Sequence, residues 1–471
     1  MNRILHSIVA LSFVTGLLVV APAAQASILY VSKDSPCPGN GTSASPYCSI
    51  QRAFNVTVAG DTIRIRQSAT PYDESVTAMS SGTSTAPITV ESDIGQVPIW
   101  TYTGNGSTQA ALNILNQNYW TVQNLTFDGT GISTSRQAVW MSTTTSPLSV
   151  GLQFLNNTIK NWGQMVPESH VTGLNIGGDG SIVRGNVFDG IPRISLGPSG
   201  GRNLVVENNE FKNMRCGRDS DGTVSATAIY IAYGDPIGGT DIRNNAFHDP
   251  RPQSECNLTN SDGWTAFGIW TDVGAYNGTI EGNRIWNFDQ VTSMGIYLEY
   301  DTHGWVVRNN VFYNISYNAI RHHPTTDGAV NTYVNNTIYN IGTNNAGWGI
   351  QISSGNGVFK NNIIDNSAGA QIRITANGLS NLTIDYNDYW DNSGGSHVGN
   401  WDPTRYNFSD WKTKCQCDQY SINLDPKFVN PPSDLRLQSS SPALGTGEGG
   451  INMGAVVLSA PTNVRVVQVS P

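Results

Sequence analysis

Two carboxylates, Asp272 and Glu299, stand 27 residues apart at the ends of two segments of one pattern, GIWTD (268–272) and GIYLE (295–299). The same pattern recurs as AIYIA (228–232), AIRHH (319–323) and GIQIS (349–353). In each, the second residue is Ile; in a strand that turns this Ile inward, alternation sends the third and fifth residues outward. One outward column then reads Tyr230, Trp270, Tyr297, Arg321, Gln351, and its neighbour reads Ala232, Asp272, Glu299, His323, Ser353. On parallel strands about 4.8 Å apart, the two carboxyl groups are expected roughly 5–6 Å from each other. Like charges that close repel, so one of the pair should hold a proton near neutral pH. A carboxylic acid beside a carboxylate at this spacing is the equipment of a retaining glycosidase. Arg321 and His323, one coil further on, are candidates to hold the pair or a substrate hydroxyl, while Trp270, Tyr297 and Tyr300 offer flat faces to sugar rings. An isolated acidic residue on an exposed strand is ordinarily solvated surface. Two carboxylates, a His, an Arg and two aromatics in adjoining columns, in a chain with only 13% charged residues, are a coincidence that points to a cleft.

The alignment rests on a second repeat. Between Asn157 and Asn387 the chain alternates apolar and polar residues into Asn-x-apolar, reading LNNTI, RGNVF, ENNEF, RNNAF, EGNRI, RNNVF, VNNTI, KNNII and DYNDY. The recurring residues are Asn157, Asn186, Asn209, Asn245, Asn283, Asn310, Asn336, Asn362 and Asn387, the last five spaced by 27, 26, 26 and 25. A period of this size marks stacked repeats. The units alternate with period 2, are rich in β-branched and aromatic residues and carry no helical stripe, so each is a coil of short strands. Such coils predict an all-β fold, a right-handed parallel β-helix. An asparagine at the bend tolerates a left-handed backbone and can hydrogen-bond its equivalent one coil up, which makes the series scaffold rather than chemistry.

Solenoids lengthen coil by coil, so 471 residues do not require a second core. With 49 glycines and a net charge of −9, the chain suits a turn-dense β scaffold and lacks the basic stripe that nucleic acid or an anionic membrane needs. Residues 1–26 carry Arg3, an apolar run from Ile8 to Val20 and Ala24-Gln25-Ala26. They read as a signal peptide cleaved after Ala26, which implies a secreted, extracellular protein. In that setting the six cysteines are expected to pair. Cys37 and Cys48 form a local staple. Cys216 and Cys256 fall in the two longest ladder gaps, 209–245 and 245–283, and are expected to bridge two loops beside the solenoid. Cys415 and Cys417 stay open, since a bridge across one residue is strained and two sulfurs do not make a metal site.

Along the chain, residues 27–95 form the N-terminal cap and first coils, with Ser49 placed to cap a short helix carrying Ile50, Ala53 and Phe54. Residues 96–395 form the β-helix, 396–458 a loop-rich C-terminal capping segment and 459–471 a tail. The two ends, YVSKD…GTSASPYCSIQRAF…AGDTIRIR and LDPKFVNP…LRLQSSSPALGTG, resemble secreted right-handed parallel β-helix proteins of carbohydrate-active type, over nearly the whole mature chain. That scaffold hosts pectate and alginate lyases, several glycoside hydrolase families, phage tailspikes and adhesins, so the resemblance carries fold further than function. The GIW-x-D segment followed one coil later by GI-x-x-E is similar to the Asp-nucleophile, Glu-acid pattern of β-xylosidase-type β-helix hydrolases. It implies Asp272 as nucleophile and Glu299 as general acid/base.

Three functions are therefore expected in order. A retaining glycoside hydrolase acting on a polysaccharide or oligosaccharide, as a monomer without a cofactor, comes first. A calcium-dependent polysaccharide lyase is second, with Asp272, Glu299 and Asp301 holding Ca²⁺ against a uronate and Arg321 or a nearby His taking the C5 proton. Few Lys or Arg residues on the outward surface face a polyanion, which counts against it. The third is a non-catalytic glycan-binding surface protein using the aromatic column alone.

Overall fold

A computed structural model describes residues 26–456 apart from 105–109, 133–136, 143–146, 164–170, 219–223, 233–236, 253–254, 256–263, 290–291, 326–327, 329, 343–346, 376–380 and 392–396. The expected cleavage site after Ala26 adjoins residues outside this set, and residues 459–471 lie outside it altogether. Three parallel sheets, of 13, 12 and 16 strands among the described residues, wind about one axis. Each coil visits the first, second and third sheet in turn, as in Thr279–Glu281, Arg284–Phe288 and Thr292–Tyr300. The next coil repeats the order with Val306–Arg308, Val311–Ile315 and Asn318–Pro324. The fold is a right-handed parallel β-helix, the hand that parallel crossovers take.

The bend between first and second sheet divides its work between two residues. The first adopts the left-handed backbone: Asn156, Asn208, Asn244, Asn309, Asn335 and Asn361, with Gly185 and Gly282 in two coils. The second is the buried ladder asparagine. Asn310 accepts from both Asn283 N and Asn283 Nδ2 at 3.0 Å, and its own Nδ2 donates to Ile280 O at 2.8 Å and to Asn336 Oδ1 at 3.1 Å. The same set repeats from Asn157 to Asn387. A further ladder at the next bend went unread in the sequence: Asn314 donates to Asn287, Asn340 to Asn314 and Asn366 to Asn340.

Both ends are closed. The helix Ile50–Val56 buries Ile50, Ala53 and Phe54, and Phe54 stacks on Trp120 at 5.1 Å. Ser49 precedes it but makes no capping bond with its side chain. The Glu74 carboxylate takes the Ile50 and Gln51 N–H groups instead, because a longer side chain from the next turn of chain reaches both donors. At the far end, Trp411 of the helix Phe408–Cys415 is fully buried and donates to Asp418 at 2.7 Å. Asp418 and Ser421 together receive the last ladder residue, Asn387. Cys37 pairs with Cys48, and Cys415 with Cys417. Cys216 is buried and disulfide-bonded; its expected partner, Cys256, lies outside the described residues.

The C-terminal segment does more than close the end. After Asp425 it turns back as a strap over the outer face of the second sheet, carrying the hairpin Phe428–Asn430 and Asp434–Leu437. Phe428, Leu435, Ala443 and Met453 pack on Val311, Tyr313 and Ile363 in a second apolar cluster. Gly454 N donates to Asn361 O, and Ala455 N to Thr337 Oγ1. Beneath the strap, Asp388 is fully buried. Burial pushes its carboxyl up to about 8, with the charges of Asp365 and Asp425 adding to the effect and the Leu424 N–H opposing it.

Asn310→Ala and Asn336→Ala each leave buried groups of adjacent coils without partners, and are expected to lower stability by about 1–3 kcal/mol. Activity per folded molecule should hold, as melts and rates on the same samples will show. Asp388 binds its proton more tightly folded than unfolded, so the stability it confers is complete below about pH 4 and is lost as pH rises towards about 8. The stability of Asp388→Asn relative to the parent should therefore increase across that window, by up to ~1.4 kcal/mol per pH unit. A difference independent of pH overturns this reading.

Candidate active site

Four neighbouring strands of the third sheet build the site: Val224–Ile231, Trp264–Thr271, Thr292–Tyr300 and Asn318–Pro324. Ile229, Ile269, Ile296 and Ile320 are fully buried, so alternation turns their neighbours outward as expected. The register aligns Tyr230, Trp270, Tyr297, Arg321 and Gln351 in one column, and Glu299 with His323 in the next. Thr271 pairs with Leu298, so Asp272, one residue past its strand, falls level with Glu299 one interstrand step away. The insert after Asn209 adds a short antiparallel strand, Gly217–Arg218, beside Val224 and Ser225.

Neighbours push the proton affinities of the two carboxylates in opposite directions. Asp272 is 4% exposed. Its Oδ2 accepts from Tyr230 OH at 2.9 Å and its Oδ1 from Val273 N at 2.8 Å. Burial raises its affinity for a proton; these two donors oppose that, while the charges of Glu299 and Asp301 reinforce it, and the net direction is upward. Glu299 is half-buried, and desolvation by itself would raise it, but its interactions with His323, Tyr297 and Trp270 outweigh that and hold it below the usual carboxylate range. Trp270 Nε1 donates to Oε2 at 3.0 Å, Tyr297 OH donates to Oε1, and His323 Nδ1 lies 3.8 Å from the same oxygen. A single Thr302 hydroxyl donates to the backbone carbonyls of both Asp272 and Glu299, tying the two coils at the pair.

The aromatic column acts differently from the sequence expectation. Tyr297 is only 5% exposed, lying between Trp270, whose ring is 6.1 Å away, and the Arg321 guanidinium 4.8 Å over its face. His323 stacks beside it at 6.3 Å. Tyr297 is therefore a brace that aims a hydroxyl at Glu299, and its faces are filled by protein, not offered to sugar. Trp270 is half-buried and shares that bracing; Tyr300 is exposed at 47% and keeps an open ring. Arg321 presents an Nε with no hydrogen-bond partner. Asp301, the third member of the expected calcium set, accepts from Gly274 N at 2.7 Å, and Asp272, Glu299 and Asp301 do not bring one oxygen each within 4.8 Å of one another. Tyr230 was visible in the column, but its bond to Asp272 depends on a reach across strands that spacing does not reveal.

Comparison with known proteins agrees with the architecture. Residues 172–344 match the model of the right handed beta helix region. No curated protein sequence matches the chain significantly. Among solved structures, XylC in complex with xylose is similar at 12% identity and a TM-score of 0.55, over 85% of this chain and 87% of that one. The GH136 lacto-N-biosidase from Eubacterium ramulus is similar at 11% identity and 0.53, over 77% and 67%. Pectate lyase Pel9A is similar at 14% identity and 0.51, over 92% and 96%. At these identities the likeness is one of fold.

Removing one donor from Glu299 should weaken its hold on the ionised form. Tyr297→Phe is expected to move the acidic limb of the pH–rate profile to higher pH, by about one unit for one lost charge-assisted bond, with folding retained. An unmoved limb would mean that Glu299 does not set it.

Proposed function

We propose that this parallel β-helix is an exported carbohydrate-active enzyme that hydrolyses a glycosidic bond with retention of configuration, using Asp272 and Glu299. The observation that carries the reading is the pair itself: two carboxylates at one position of adjacent coils, pushed in opposite directions by their surroundings. Strands one step apart, about 4.8 Å, suit a nucleophile and an acid/base on either side of one anomeric carbon better than the wider gap that an attacking water needs. Similar folds include a xylose-bound protein, a biosidase and a pectate lyase by name, which supports a carbohydrate ligand and leaves the reaction to the site.

Protonation order supports a division of roles opposite to the one the motif resemblance implies. Glu299, whose carboxylate form is favoured by the Trp270 and Tyr297 hydrogen bonds with the His323 imidazole close by, is suited to attack the anomeric carbon; Asp272, whose proton affinity is raised, is suited to protonate the departing oxygen. When the glycosyl–enzyme bond has formed on Glu299, Asp272 is left as a carboxylate and takes a proton from the incoming water, restoring the starting state. Arg321, on the strand next to that of Glu299, and the exposed Tyr300 are the candidates to bind the sugar. A lyase would need the calcium ligands to converge, and the engagement of Asp301 with the Gly274 backbone weighs against that.

Asp272→Asn and Glu299→Gln are each expected to fold normally and to lose activity by several orders of magnitude on a polysaccharide panel with products identified by mass. Azide assigns the roles: rescue of the acid/base variant yields a glycosyl azide of retained configuration, and rescue of the nucleophile variant an inverted one. Unsaturated products that vanish with a calcium chelator would establish the lyase instead. Binding of glycans without turnover would leave the protein a lectin.

A further inference from the structure

The second sheet carries its own outward column. Successive coils place His248, Trp286, Tyr313 and Tyr339 in register, then Asp365, then Trp390. A carboxylate thus interrupts an aromatic stripe, and it does so under the C-terminal strap. There the strap leaves a cavity of about 540 Å³, with Tyr339, Asp365, Trp390, Asp425, Lys427 and Gln438 in its wall. Asp365 is 5% exposed, and its Oδ1 meets no hydrogen-bond donor. Asp388, on the adjoining strand, is fully buried and has its Oδ2 equally unpartnered. The nearby cation does not answer either of them: Lys427 Nζ donates to Ser440 O at 3.3 Å.

A buried carboxyl oxygen without a donor is destabilising, and an apolar side chain of the same size would serve the packing better. An unpaired buried group of this kind calls for a partner from outside the protein, a ligand or a water. A bare cation is a poor fit, since Asp365, Asp388 and Asp425 do not bring three oxygens within 4.8 Å of one another. The volume is that of a small-ligand pocket. Its aromatic lining of Tyr339, Trp390 and Phe428 and its acceptor, Asp365, match a ring with apolar C–H faces and hydroxyls on its rim.

We propose that the cavity beneath the strap binds one neutral sugar ring, stacked on Trp390 with Asp365 accepting its hydroxyls. The site lies on a different sheet from Asp272 and Glu299 and is separate from their chemistry, so it is a second, non-catalytic carbohydrate site. Burial raises Asp365 to about 7, so the carboxyl can accept and donate to hydroxyls near neutral pH.

The test uses the full secreted chain carrying Asp272→Asn, so that nothing is turned over, titrated with D-glucose, D-galactose, D-mannose and D-xylose, and separately with calcium chloride, by calorimetry. One sugar at least should bind with a site that disappears, or weakens about tenfold or more, on adding Asp365→Leu or Trp390→Ala. Asp365→Leu should also melt at or above the parent temperature, because it removes the unpaired oxygen; this keeps loss of binding apart from loss of fold. Identical isotherms with and without Asp365→Leu, no binding of any of the four sugars, or binding of calcium alone overturns the proposal. In a chain with Asp272 intact, Asp365→Leu should preserve the proposed hydrolysis of short substrates, so failure at one site is distinguishable from failure at the other.

Discussion

The structure depends on a buried amide. Each ladder asparagine between the two ends touches three coils: its oxygen takes two N–H groups from the coil before, while its NH₂ reaches back to a carbonyl of that coil and forward to the next asparagine. Only a side chain with both donor and acceptor at this length can do so; Asp lacks the donor, and Gln places the amide one methylene too far. Away from water, each of these bonds resists a slip in register, since slipping would strand several polar groups at once. The coils are therefore locked residue against residue, and outward columns become fixed addresses.

That lock lets the fold hold groups that repel. Asp272 and Glu299 are set one interstrand step apart by the backbone, whatever their mutual charge, and neighbours then determine what each becomes. Glu299 meets an indole, a phenol and an imidazole; Asp272 meets a phenol, one backbone N–H and two nearby negative charges. The aromatic residues in the column serve this difference first. With its faces covered by Trp270 and Arg321, the Tyr297 ring has little freedom, and its hydroxyl stays aimed. Part of the stack that resembles a sugar platform is the support for a carboxylate.

A solenoid has two open ends and three broad faces, and the chain treats them differently. The ends are shut by short helices, each with one large aromatic in the core. One face of the second sheet, aromatic and apolar, is covered by the returning strap, which buries two carboxyls along with it. Burial of that kind opposes stability at neutral pH and above. The third sheet, by contrast, keeps its carboxylate pair under a network of donors and leaves Tyr300 open.

Fold and register were legible in the sequence because both are periodic. The asparagines at 25 to 27 residues defined the coil, and the alternation around Ile269 and Ile296 predicted which residues face out; the columns of the third sheet are as that alternation implies. The same logic could not show which ring would be covered, since Tyr297 and Tyr300 are equally aromatic and differ only in the neighbours that the stack supplies. Ser49 looked like a cap, yet Glu74 holds the helix because the next turn of chain brings it closer. Residues 424–456 carry no period, so their return across the second sheet, and the pocket they enclose around Asp365, left no trace in spacing. What the sequence determined by itself was the repeat and the inward or outward sense of each residue, because these follow from local geometry and a recurring side chain. Protonation, the bracing of Glu299 and the burial of Asp365 and Asp388 were decided by tertiary structure alone, because each depends on atoms brought together from distant parts of the chain.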